Sequence, residues 1–441
     1  MYKRNENYST LTPEIILDKL DSVPEFSIYS VLREKALLFA TMLYNRWWDV
    51  RKEDGNVFQR ISSELLITLL SRDDYKLVIN TLVDLDIIEI DNSYSVGKCP
   101  KGYRFKDYIL QSKPIARKLF RTSSITRINK IELFFNNQLI NKNSHLINLY
   151  NNLKLIHIDE YEANDWIIFK SELPTEKHEY YLQRVNRINA GISGYIKVAY
   201  SNKRVFTHLT NLPKELRKFL YLKTDKGECF SSKVYIDGAN TQPALLCIKM
   251  KNEGYELEEL FWDNCLNGKI YDFIANDISN ESYPFIIDRN WVKKRFMDTI
   301  LYTKDNSEFT HQLSVTEGLN YEKQVFSKYF QRSFPNVWNY LMKVKKTDNN
   351  SNLNFANRNN GGSNLAIEIQ KMESELWIHQ LLPEIPSEIV YTTIHDSLLI
   401  FNPTKEQVQI CIDKINETSK KLYKVELPLH IDGDIEILEW S

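Results

Sequence analysis

Val234-Tyr235-Ile236-Asp237-Gly238-Ala239-Asn240-Thr241-Gln242-Pro243-Ala244-Leu245-Leu246 reads as a β-rich run that ends on an aspartate and opens into an apolar helix. A carboxylate at the end of a buried strand is held in place by the ladder beneath it, so it can keep a metal ion at a fixed point. A second stretch has the same character. Ile389-Val390-Tyr391-Thr392-Thr393-Ile394-His395-Asp396-Ser397-Leu398-Leu399-Ile400-Phe401 is two short apolar strands hinged on His395-Asp396-Ser397. Taken singly, either aspartate is what strand ends and turns ordinarily use. Together, two carboxylates on adjacent strand ends can bind two magnesium ions, one activating an attacking hydroxyl and one holding a triphosphate and its leaving group. Magnesium takes oxygen ligands and keeps waters, which agrees with the lack of a Cys/His ligand cluster.

A third segment, Asp288 to Tyr302, has helical spacing with Asp288 placed to cap it. Arg289, Lys293 and Met297 fall on one face, while Trp291, Val292, Phe296 and Ile300 fall on a face suited to a core. A triphosphate beside metal ions needs such cations, and a base above it needs a flat apolar surface. A basic surface helix is the competing explanation for this segment alone.

The N-terminal third has a different pattern. Residues 31–50 read as a helix followed by a polar break at 51–56. Ser62 or Ser63 caps a short helix through Leu70, and residues 71–74 start a second one to about Leu85. Ile87-Ile88-Glu89-Ile90 then begins a hairpin that returns through Tyr103-Arg104-Phe105. Two helices and a hairpin with a basic tip resemble a winged helix, in which Lys98, Lys101 and Arg104 would touch phosphate; protein docking is the alternative use of such a module. Residues 113–130 hold Lys113, Arg117, Lys118, Arg121, Arg127 and Lys130 with no acidic residue, which adds to a possible phosphate-facing surface. From 131 to about 200 no repeat or chemical motif stands out.

Composition bounds these readings. The chain has 441 residues, 57 basic against 58 acidic, and 43% hydrophobic residues, so it folds into about two or three domains and is not a uniformly basic coat. With 13 Gly and 13 Pro, turns are few and helices dominate. The five cysteines form no CxxC pair, which indicates neither a disulfide framework nor a zinc site. No apolar signal core and no run of 18 apolar residues occurs, so the expectation is a cytoplasmic protein with no membrane contact. The residues leave its oligomeric state open.

In order, the strand with Asp237, the cationic helix and the His-Asp-Ser hairpin resemble motifs A, B and C of the family A DNA polymerases and the related single-subunit phage-type RNA polymerases. The resemblance covers roughly residues 200–441 and is strongest at Thr393-Ile394-His395-Asp396-Ser397. Arg204, Arg217 and the helix around Ile369-Gln370-Lys371-Met372-Glu373-Ser374-Glu375-Leu376 extend it. It implies a right-hand core at 201–441 made of an antiparallel palm sheet and helical fingers at about 250–385; with the mainly helical winged-helix-like domain read at 1–115 and a connecting thumb-like region at 116–200, the expected fold is α+β. It also implies two Mg2+ ions, replaceable by Mn2+, on Asp237 and Asp396, with the Gly238 carbonyl as a further ligand. Arg289 and Lys293 would bind the incoming triphosphate. Tyr302 would close the nucleotide pocket, yet it falls one position late in the register that places Arg289 and Lys293, so that either Lys294 is the match or Leu301 stands in the tyrosine's place; Lys293 is favoured. Gln242 stands where the DNA polymerases carry a glutamate that guards the sugar. Arg204, Arg217, Gln370 and His395 would meet nucleic acid.

The implied partners are a template, a primer and nucleoside triphosphates. The stretch from Asp237 to Asp396 has room for fingers but not for the larger insertions of phage-type RNA polymerases, which favours DNA as product. Asp237-Gly238 and Ser397 lean toward the RNA polymerase variants, so an RNA polymerase or primase stays open. No acidic cluster suggests a proofreading exonuclease. A non-catalytic DNA-binding initiator or regulator and a two-metal nuclease are the readings from other classes. The polar segment 348–364 is a linker or an element that touches template.

Overall fold

The computed structural model describes residues 9–54, 56–93, 100–112, 114–118, 143–171, 175–189, 196–199, 201–210, 212–224, 226–279, 283–302, 318–348 and 364–433. Lys98 at the expected wing tip, the basic positions Lys113, Arg121, Arg127 and Lys130, and residues 349–363 of the polar segment lie outside them. The chain forms two compact units. One comprises Met1–Ile147, Lys154–Tyr195 and Lys214–Glu228; the other comprises Asn148–Leu153, Ile196–Pro213 and Cys229–Ser441.

The first unit opens with β1 (Ser9–Pro13), α1 (Glu14–Asp21), α2 (Val31–Asp54), β2 (Gln59–Arg60), α3 (Ser63–Leu70), α4 (Tyr75–Asp84), β3 (Ile88–Asp91), β4 (Gly102–Phe105), α5 (Asp107–Leu110) and β5 (Pro114–Lys118). Ser62 is the cap of α3, its hydroxyl accepting from the Leu65 N–H at 3.2 Å. Helix α2 does not break at 51. Arg51, Lys52 and Glu53 are good helix formers, and the helix runs on to Asp54. Strands β2, β4 and β3 form an antiparallel sheet in that order, with Ile88 opposite Phe105 and Ile90 opposite Tyr103. Phe39, Leu43 and Tyr44 of α2, Leu65 and Leu69 of α3, Val78 and Leu82 of α4, and Tyr103 and Phe105 of β4 share one buried core. Helix, helix and hairpin are therefore cemented by apolar spacing legible in the sequence.

The middle of the chain follows as α6 (Ile147–Leu153), β6 (Ile156–Ile158), α7 (Glu160–Asp165), α8 (Thr175–Asn189), β7 (Lys197–Val198), β8 (Val205–Phe206), α9 (Lys214–Arg217), β9 (Leu220–Lys223) and β10 (Cys229–Phe230). In the first unit β6 pairs antiparallel with β9. In the second unit β7 and β8 form a short antiparallel hairpin whose turn holds Lys203 at φ +59°.

The second unit continues with β11 (Lys233–Gly238), α10 (Thr241–Asn252), α11 (Glu259–Leu266), α12 (Ile270–Ile278), α13 (Arg289–Arg295), α14 (Gly318–Ser333), α15 (Pro335–Asp348), α16 (Asn364–Ser374), β12 (Tyr391–Thr393), β13 (Ser397–Phe401), α17 (Lys405–Tyr423) and β14 (Leu429–Gly433). Its sheet is antiparallel and four-stranded, in the order β12-β13-β11-β14. Val234 and Ile236 are fully buried, and every residue of β13 is buried. That is why β13 reads as an unbroken apolar run rather than an alternating one. Strand β14 is the element that sequence reading passed over, because Leu429-His430-Ile431-Asp432-Gly433 alternates weakly and is only five residues long. Helix α10 is buried from Thr241 to Ile248, where α16 and α11 pack on it. Among the described residues no helix is long and apolar enough to cross a membrane.

The turn from β11 into α10 depends on Gly238. A Cβ there would lie 2.0 Å from the Thr241 hydroxyl and 3.2 Å from Trp377. Gly238→Ala is therefore expected to cost about 1–3 kcal/mol in thermal or urea denaturation. Adding Thr241→Ala should return more than half of the loss; no return would mean that the close approach is not what demands glycine.

Candidate active site

Strand β11 brings Asp237 to the end of the sheet between two neighbours. Asp237 stands opposite Ser397 of β13 on one side and His430 of β14 on the other. The Gly238 N–H donates to the Asp396 carbonyl at 3.0 Å, which ties the end of β11 to the β12–β13 turn. That turn is tight. Ile394 N–H donates to the Ser397 carbonyl at 3.1 Å, the Ser397 hydroxyl donates to the Ile394 carbonyl at 2.7 Å, and His395 adopts φ +58°. Asp237, Gly238, His395 and Asp396 thus meet at one end of the sheet. Both aspartates are half-buried.

Among the described residues no group of three or more His, Cys, Asp and Glu converges on one point. Two carboxylates and a backbone carbonyl nonetheless fit magnesium, which binds through one or two carboxylates and completes its shell with water and substrate phosphate. Nothing softer than oxygen stands in the donor set, so the residues suit the ion expected from the sequence.

Gln242 lies in the first turn of α10, and its Nε2 donates to Glu373 Oε2 at 3.0 Å. Arg204 Nη2 donates to the other oxygen, Oε1, at 2.5 Å. One helical turn earlier on α16, Gln370 Oε1 accepts from Asn202 Nδ2 at 2.8 Å, while its Nε2 donates to the Tyr302 hydroxyl at 3.3 Å. Gln370 and Glu373 are three residues apart and so share a helix face. From that face they join the β7–β8 turn, the start of α10 and Tyr302. The resemblance places Gln370 and an acid on a helix beside the active site but assigns a role to Gln370 alone; the i, i+3 relation of Glu373 to Gln370 is the signal for the rest.

Glu373 is only 1% exposed. Burial first, then the nearby Asp396 charge, push its carboxyl up to about 7, against the opposing pull of Arg204 and Gln242. Tyr271 registers the same convergence. Burial, then Cys265 and Asp396, raise its hydroxyl, while Arg289 draws it down.

Asp288 caps α13 by accepting from the Trp291 N–H at 2.7 Å. Val292, Phe296 and Ile300 are fully buried, as their spacing predicts. Arg289, Lys293 and Lys294 are exposed; Arg289 sits 3.4 Å from Asp272 and 5.7 Å from the centre of the Tyr271 ring. Arg295, which sequence reading left unremarked, is almost wholly buried near Asp298 and Glu322. Beyond Arg295 the chain winds as a π-helix over Phe296–Leu301, with the Tyr302 N–H donating to the Met297 carbonyl at 2.9 Å. A π-turn takes up one extra residue. The Tyr302 hydroxyl accepts from the Gln370 amide.

The remaining residues stand elsewhere. Arg217 belongs to α9 in the first unit. Lys101 is exposed beside β4, and Arg104 donates to Glu89 at 2.7 and 2.9 Å and to the Asn56 carbonyl at 3.2 Å while resting on Phe58.

No protein-family profile and no curated protein matches the chain. Among solved structures, the chain is similar to the POL domain of Pol1 from M. smegmatis in complex with DNA primer-template and dNTP. The TM-score is 0.40 at 14% identity, over 70% of this chain and 71% of that one.

The raised Glu373 carboxyl makes stability depend on pH. The folded chain holds a proton that the unfolded chain releases above its ordinary value of 4.5, so this contribution is complete below that value and is lost as pH rises through about 7. In metal-free buffer the melting temperature of the wild type should therefore fall relative to Glu373→Gln between pH 5 and pH 8.5. Parallel pH profiles for the two proteins would contradict the assignment.

Proposed function

We propose that this chain is a template-directed nucleic-acid polymerase, a nucleotidyltransferase that uses the sheet end bearing Asp237 and Asp396. The observation that carries the reading is the placing of Asp237 at the end of β11 and of Asp396 in the adjoining β12–β13 turn, joined by the bond from the Gly238 N–H to the Asp396 carbonyl. Asp237 and Asp396 would hold magnesium, with the Gly238 carbonyl as a further ligand. Bound there, the metal would lower the pKa of an attacking hydroxyl and offset charge on the phosphates.

The chain's own residues supply the surroundings. Arg289 and Lys293 present exposed cations from α13 toward a triphosphate. Tyr302, steadied by Gln370, offers a flat ring further along the same helical run. Arg204 and Gln242, both held by Glu373, flank the carboxylate end. These residues bind and orient the reactants, and orientation supplies much of the rate in a transfer of this kind.

The finer reading is a DNA-directed DNA polymerase whose palm is the β12-β13-β11-β14 sheet, with α11 to α15 as fingers. The helix–helix–hairpin of the first unit would serve as a winged-helix module that contacts DNA, through Lys101 and the wing. The exposed cationic face of α13 favours a triphosphate substrate over a strand to be cleaved, which sets a polymerase ahead of a nuclease.

Primer extension with magnesium and nucleoside triphosphates tests the proposal. Asp237→Asn and Asp396→Asn should each reduce incorporation by about a thousandfold or more, a loss of roughly 4 kcal/mol of transition-state stabilisation, with unchanged melting. EDTA should abolish it and added Mg2+ restore it. Undiminished incorporation by either variant would end the claim for these ligands, and strand cleavage in place of pyrophosphate release would favour the nuclease.

A further inference from the structure

Glu373 occupies a position whose chemistry is unusually constrained. Its carboxylate is buried, and each oxygen accepts from a different side chain, Arg204 on Oε1 and Gln242 on Oε2. Above about pH 7 Glu373 is ionised, and an ionised carboxylate accepts only. Gln242 must therefore turn its NH2 toward Glu373, and its own carbonyl Oε1 faces the other way. Arg204 has donors only, so it too is satisfied by a carboxylate and by nothing that donates. Its Nε is buried without a partner, which leaves the Nη2 contact to Glu373 as the described bond that holds the guanidinium.

Gln242 stands five residues beyond Asp237, in the first turn of the helix that β11 feeds. A nucleotide held through its phosphates at Asp237 and Asp396 would lie within reach of that turn. From this placement, and resting on the polymerase reading above, we propose that Glu373 is a positioning residue: it fixes the polarity of the Gln242 amide and the pose of Arg204, so that Gln242 meets the bound nucleotide as a hydrogen-bond acceptor. The role is distinct from that of a metal ligand, since both carboxylate oxygens are already bonded to protein. It also explains why a carboxylate persists at a buried point close to Asp396, where its charge is opposed.

Substitutions at the two positions should then act asymmetrically. In Glu373→Gln, Arg204 still requires an acceptor, so the new Oε1 goes to Arg204 and the new NH2 goes to Gln242. Gln242 must then turn over and present its NH2 to the substrate. Exchanging the two residues, Gln242→Glu with Glu373→Gln, restores an outward acceptor: the amide at 373 serves Arg204 and donates to the carboxylate at 242, whose second oxygen faces the nucleotide.

Steady-state primer extension on the full chain, with melting measured for each variant, decides the matter. Glu373→Gln should raise KM for the nucleoside triphosphate fivefold or more with a smaller change in kcat, and the exchanged double variant should return KM to within about threefold of wild type. Wild-type KM in Glu373→Gln, or a double variant no better than the single one, overturns the proposal. Should Glu373→Gln fold poorly, Gln242→Met, which keeps the volume and removes the acceptor, must raise KM in the same way; an unchanged KM there overturns it equally. The reading of the site as a polymerase is judged separately: incorporation by the wild type that Asp237→Asn abolishes sustains it whatever Glu373 does, and no incorporation by the wild type defeats both.

Discussion

Strand β11 is hydrogen-bonded along both edges, and the geometry of the site depends on that double pairing. A strand with one neighbour can slip; a central strand can slip only by breaking two ladders together. Because side chains alternate from face to face, a slip of one residue would exchange Val234 and Ile236 for Tyr235 and Asp237 in the buried face. Burying the carboxylate and exposing two fully buried aliphatic side chains would oppose it. The hydrophobic pattern of six residues thus positions Asp237, and the Gly238 bond to Asp396 carries that precision across to the neighbouring turn.

Around this rigid end, polar side chains are joined by hydrogen bonds rather than left to water. Buried polar networks hold their members firmly when satisfied and are costly when not. The pair of links from α16 is of this kind: Glu373 to Arg204 and Gln242, Gln370 to Asn202 and Tyr302. One helix face so connects three separate parts of the second unit. A carboxylate at 1% exposure needs its donors to remain charged, and it sits close enough to Asp396 for the two to repel. A positive ion at Asp396 would relieve that repulsion, so occupancy of the metal site and the charge state of Glu373 are linked through space.

Much of this architecture is legible in the sequence. The strand ending on Asp237, the hairpin turning at His395-Asp396-Ser397, the Asp288 cap and the apolar face of α13 follow from local rules of spacing and turn chemistry, and the same holds for the Ser62 cap and the paired helices α3 and α4. What escapes has a physical reason in each case. Strand β14 has no strong period and takes its shape from pairing with β11. Glu373 and Arg204 are separated by 169 positions, and a contact of that span leaves no trace in local pattern. The buried Arg295 reads as one more cation in a basic helix, since only packing distinguishes an inward charge from an outward one.

The lateness of Tyr302 shows how a local irregularity can carry a long-range constraint. An unbroken α-helix from Arg289 would turn Leu301 toward Gln370 and swing Tyr302 about 100° away. The π-turn over Phe296–Leu301 takes up one residue without advancing the face, so Tyr302 arrives where Leu301 would have been. Such a turn is less favourable than regular helix and persists only when something else stabilises it. Here the stabilising contacts are at hand: Phe296, Thr299, Ile300 and Leu301 are all buried, and the Tyr302 hydroxyl receives the Gln370 amide. The π-turn is thus kept by packing on one side and by the polar link to α16 on the other.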